Sequence, residues 1–115
     1  MGLLDRMRKG RSGTPRAGGR DDQAHLRAWA AAHEGVEAFV EPRTTVTETT
    51  MVLVDRTGEH TRRRVAGPDA ARKLARSLAI PVYDVQLVGY PQRMRDHDAR
   101  QKVLRERERR GALGS

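Results

Sequence analysis

Cysteine is absent from this 115-residue chain, which excludes disulfides, thiolate nucleophiles and Cys-ligated zinc. Aromatics are scarce: Trp29, Phe39, Tyr83 and Tyr90 make up 3% of the sequence, so base-stacking recognition of single-stranded nucleic acid has few platforms. The core must come from Val, Leu, Ile, Met and Ala, whose larger members give roughly 1.5–3 kcal/mol each when fully buried. A core that small would be supplemented by pairing with a second copy, which makes a homodimer an expectation. No apolar run reaches the length of a signal h-region or a membrane span. Arg6 stands where a myristoylation signal needs Ser or Thr. The expected location is therefore cytoplasmic, without integral membrane association.

Catalytic machinery is equally sparse. Ser12, Ser77 and Ser115 fall in a Gly/Pro/Arg-rich stretch, in a helical pattern and at the last position, and none has the surroundings of a nucleophile elbow. No Gly-x-Gly-x-x-Gly follows a strand and there is no phosphate loop, so dinucleotides and NTPs lack a backbone cradle. The triplet Asp96-His97-Asp98 invites a metal, but His97 and Asp98 are adjacent and no second His follows at i+3 or i+4. His25 and His33, eight apart, are no better spaced. The sequence reads as non-catalytic, with no cofactor and no metal.

What is present is basic charge, and it sits at the ends. Residues 1–20, 21–91 and 92–115 carry +5, −1 and +4 of the formal +8, the pattern of a neutral folded unit over 21–91 between a basic disordered tail and a basic C-terminal helix with a frayed end. Arg outnumbers Lys twenty to three beside abundant Ala, Gly and Val, the imprint of a GC-rich genome. That imprint discounts any single Arg as a sign of bidentate anion recognition.

Within the middle unit Asp21 or Asp22 is placed to cap a helix to about Glu34, with Leu26, Trp29 and Ala30 as its apolar stripe and Gly35 as its stop. Val36, Ala38 and Val40 alternate with Glu37, Phe39 and Glu41 as in a strand. A second strand is expected over about Thr45 to Asp55. Its run Met51-Val52-Leu53-Val54 is apolar at every position and so covered on both faces, as a central strand would be. Gly58 gives the Asp55 to Glu59 loop its positive-φ position, returning the chain through a polar strand from His60 to Val65. Gly67 and Pro68 open a second helix with Ala71, Leu74, Ala75 and Leu78 on one side. Val82 to Val88 is expected to be extended, and Gln92 to Arg110 helical. The predicted fold class is α+β: a small, mixed, mainly antiparallel sheet in the order α-β-β-β-α-β-α, with helices on both faces.

Two surfaces are candidates for function. Arg62 and Arg64 on the polar strand, with Arg72, Lys73 and Arg76 on the second helix, could contact successive phosphates if strand and helix lie side by side. The competing reading pairs Arg62 and Arg64 with Glu37, Glu41 and Glu48 across the sheet. Tyr90, Arg93 and Arg95, following a turn, form a candidate docking segment for a protein partner.

Three resemblances accompany these readings. The order α-β-β-β-α, with Gly67-Pro68-Asp69-Ala70-Ala71-Arg72-Lys73-Leu74-Ala75-Arg76 opening its second helix, resembles a double-stranded-RNA-binding domain and implies RNA contact there. The order α-β-β-β-α-β also resembles the restriction-endonuclease-like core, but that chemistry needs an acidic-x-Lys triplet where this chain has Glu59-His60-Thr61 after Asp55. VEAFVEPRTTVTETTMVLVDRTGEHTRRR and IPVYDVQLVGYPQRMRD resemble short actinobacterial proteins of unknown function. Some of those are labelled oxidoreductases, a label these residues do not support. The expected function is a non-catalytic binding module for RNA or an RNA-containing particle. The alternative is a protein-interaction or structural adaptor, and a small enzyme stands third.

Overall fold

The computed structural model describes residues 19–114; nearly all of the basic N-terminal stretch expected over 1–20 lies outside the described residues. Helix α1 (Arg20–Ala32) begins at Gly19 without a side-chain cap. Asp21 and Asp22, expected as caps, instead occupy its first turn, where their charge complements the positive end of the helix dipole. Leu26 is fully buried, with Trp29 and Ala30 beside it. Gly35 then takes φ +64°, and a Cβ there would lie 3.0 Å from that of Arg56, so the turn into the sheet needs glycine twice over.

Strands β1 (Glu37–Glu41), β2 (Thr50–Val54), β3 (His60–Arg64) and β4 (Val82–Asp84) form one sheet in the order β3-β2-β1-β4. The first three pair antiparallel, and β4 pairs parallel to β1. Helix α2 (Pro68–Ser77) therefore carries the chain from one edge of the sheet to the other, a connection too long for a hairpin. The short α3 (Val85–Val88) and the long α4 (Gln92–Gly114) follow. The fold is α+β, in the expected order.

Two segments differ from expectation. The second strand begins only at Thr50, because Thr44 organises a turn before it: its Oγ1 accepts the N–H groups of Val46 and Thr47, and its own N–H reaches the Thr47 carbonyl at 2.9 Å. Threonine hydroxyls here compete with the sheet ladder for backbone partners. The extended run expected over Val82 to Val88 stops after Asp84, whose Oδ1 accepts the Gln86 N–H at 2.8 Å and caps α3.

Strand alternation sends each apolar side chain to one of two layers. Ala38, Val40, Met51 and Leu53 face α1 and α2, meeting Leu26, Ala71, Leu74 and Ala75. Phe39, Val52 and Val54 face the opposite side, where Met94 and Tyr90 cover them. All four Met51-to-Val54 side chains are fully buried, as a doubly covered strand requires. The first turn of α4 thus supplies Met94 to the core. Among the described residues no helix is long and apolar enough to cross a membrane.

Candidate functional site

On the α4 side of the sheet a polar network surrounds Glu41. Arg62 donates to both its oxygens, from Nε at 2.6 Å and Nη2 at 2.9 Å, Thr50 Oγ1 donates at 2.5 Å, and the Tyr90 hydroxyl donates to Oε2. Burial by itself would raise the Glu41 pKa. The donors from Arg62, Thr50 and Tyr90 outweigh it and bring the carboxyl down to about 2. Burial, reinforced by this carboxylate, pushes the Tyr90 phenol up. Beside the network Arg93 donates from Nη2 to Glu37 at 2.6 Å and from Nε to the Asp55 carbonyl at 2.8 Å, locking α4 to β1 and to the hairpin.

The candidate residues are consequently dispersed. Register pairs Val52 with Arg62 and Thr50 with Arg64, so both arginines share the face of Val52. Arg72, Lys73 and Arg76 are exposed on α2, which packs on the opposite face. The five do not form one surface: β3 is an edge strand, and α2 lies over β1 and β4. Arg62 is engaged by Glu41, and Arg72 is bonded to Asp69 on its own helix. Tyr90 and Arg93 of the expected docking segment are turned inward, while Arg95 stays exposed beside Gln92.

A basic C-terminal helix is expected from the sequence, but which part of it packs on the core is not, and neither is a side-chain cluster beside it. Beyond Asp98, α4 packs against little: Ala99 to Leu113 are exposed except for half-buried Glu106. Residues 99–114 hold six basic side chains against two acidic. Their Ala, Arg, Gln, Lys, Leu and Glu are strong helix formers, which explains a helix with so little packing. The cluster is local to α4's second turn. His60, at the start of β3, lies against His97 and Asp98, with one potential ligand atom from each within 4.8 Å of the others. Spacing gave no sign of it, because His60 is brought in by the hairpin and not by a helical repeat.

Asp55 is structural. Its Oδ1 accepts the N–H groups of Thr57 and Glu59 and the Thr57 hydroxyl, fixing the turn around Gly58. Although burial opposes it, these bonds hold its carboxyl below the ordinary carboxylate range. Comparison of the chain with models of known families, with characterised proteins and with solved structures finds no match. The site must be read from its own chemistry.

Proposed function

We propose that this chain is a non-catalytic module that binds RNA through its phosphates, with the outer half of α4 as the principal contact and Lys73 and Arg76 of α2 as a second. One observation carries this reading: Arg100, Lys102, Arg105, Arg107, Arg109 and Arg110 are exposed on a helix with no continuous apolar stripe. A helix built to dock in a protein groove presents anchors at i, i+3, i+4 and i+7, whereas this one offers only Val103, Leu104 and Leu113. Guanidinium groups spaced along a solvated rod suit a phosphate backbone, which accepts bidentate donors without demanding a fixed base sequence. The scarcity of aromatics favours the A-form duplex, read by shape and backbone, over stacked single strands.

Fluorescence anisotropy with labelled RNA duplex, single-stranded RNA and DNA duplex tests it. The expected result is tightest binding to the RNA duplex, weakening steeply with salt and lost on reversal of Arg105, Arg107, Arg109 and Arg110 to Glu. No binding at low salt, or affinity indifferent to salt, would overturn it.

The adaptor reading has one observation of its own. Leu87 and Val88 on α3 are 84% and 57% exposed, beside a cleft of about 220 Å³ lined by Glu37, Phe39, Tyr83, Val88, Gly89 and Pro91. A protein partner recovered from native lysate after nuclease treatment at moderate salt, and lost with Leu87→Asp, would favour it.

A further inference from the structure

We propose that His60, His97 and Asp98 form a binding site for a divalent transition-metal ion of the zinc class, which clasps α4 to the start of β3. The donors converge from two elements 37 residues apart in sequence. The Asp98 carboxylate Oδ1 lies 3.8 Å from His60 Nδ1 and 3.7 Å from His97 Nδ1, and the two imidazoles meet edge to face with centroids 6.4 Å apart. Ligands held at about 2.0–2.1 Å from a tetrahedral zinc are separated by about 3.4 Å; the two carboxylate–imidazole separations are close to that spacing, and the two imidazole nitrogens lie within 4.8 Å of each other. These contacts are too long for hydrogen bonds; His60 Nδ1 lies 3.3 Å from the Gly58 carbonyl oxygen, a contact that ligation through this nitrogen would replace.

An independent observation points to the same place. His97 Nδ1 is shut off from solvent and has no hydrogen-bond partner, although a buried polar nitrogen left unsatisfied costs free energy that a native fold ordinarily avoids. A metal ion would satisfy it. The helical argument against adjacent ligands does not apply, because His97 reaches inward under the hairpin while Asp98, with its side chain 57% exposed, approaches from the rim. Both imidazoles are about one-fifth exposed, leaving a path for ion entry.

The donor set defines the class of ion. Two imidazole nitrogens and one carboxylate suit zinc, cobalt, nickel or ferrous iron, and are a poor match for calcium or magnesium, which take oxygen. Three protein ligands leave the fourth position to water. The backbone geometry keeps the elements close: Gly58 packs so tightly on α4 that a Cβ there would fall 2.0 Å from the Arg93 carbonyl oxygen and 2.8 Å from His97 Cβ. The other acid and histidine group, His33 with Asp55 and Glu59, brings a single imidazole. Its Asp55 Oδ1 already accepts three bonds within the turn.

The test is titration of the chelator-treated full chain with Co²⁺ and then Zn²⁺, read by visible cobalt absorption and by histidine ring NMR. The expected result is one equivalent bound, displaced by Zn²⁺, with the His60 and His97 ring signals shifting and those of His25 and His33 unmoved. His60→Gln and His97→Gln should each weaken binding at least about tenfold, while His25→Gln leaves it unchanged. If either variant fails to fold in chelator by circular dichroism, the wild-type ring shifts decide the assignment. No saturable binding, or binding that follows His33 instead, overturns the proposal.

Discussion

Glu41 gathers donors from three elements, Thr50 of β2, Arg62 of β3 and Tyr90 ahead of α4, and its lowered pKa links that network to pH. The folded chain holds the Glu41 proton less readily than the unfolded chain, whose carboxyl titrates near 4.5. Its stabilisation is therefore complete above that value and is lost as pH falls toward about 2. Glu41→Gln should lower stability near neutral pH, with the gap from wild type closing in acid, as measured by urea unfolding across that range. Gly58 is the second residue on which the fold turns. With φ +98° and the Arg93 carbonyl in the space a Cβ would need, Gly58→Ala should cost about 3 kcal/mol or more through strain and displacement of α4. Denaturant midpoints of the two chains would measure it. The sequence exposes the turn requirement of Gly58 but not its contact with α4, which joins residues far apart in the chain.

At the scale of elements, α2 ends with a conformational penalty. Ala79 sits at φ +57°, while the Ile80 N–H reaches the Ala75 carbonyl at 3.0 Å and the Ala79 N–H that of Arg76 at 3.1 Å. This is the paired bonding of a Schellman cap, at a position where glycine is the usual residue. Ala79→Gly should stabilise the fold by about 0.5–1 kcal/mol, read from thermal unfolding, since relief of the left-handed Ala exceeds the added flexibility of the unfolded chain. Helix α4 divides in energetic terms. Met94→Ala should cost about 2–4 kcal/mol by opening a cavity against Phe39, Val52 and Val54. Deleting residues 102–115 should change stability by under about 1 kcal/mol, because the side chains removed are nearly all exposed. The apolar spacing of α2 made its buried face readable beforehand. The division of α4 was not, since its lone buried Met94 sets no period.

For the whole molecule, the internal pairing of Arg62, Arg63 and Arg93 leaves the outer half of α4 as the larger cationic surface among the described residues. With four to six of its cations on phosphates, affinity for RNA duplex should fall about 10²- to 10³-fold between 50 and 200 mM salt. Deletion of 102–115 should flatten that slope while leaving the fold intact, which anisotropy and circular dichroism on the same samples would check.

The sequence by itself determined the two-faced β2, the alternation of β1, the glycine-dependent hairpin and the apolar stripe of α2, because each is written in local periodicity or backbone preference. Only the tertiary structure decided which face the arginines of β3 would share. A strand without an apolar side carries no orientation of its own, and pairing with β2 supplied one, setting Arg62 and Arg64 across the sheet from α2. The same pairing delivered His60 to His97 and Asp98. Contacts of that range depend on the sheet register and the return of α4 over it, and no local spacing encodes either.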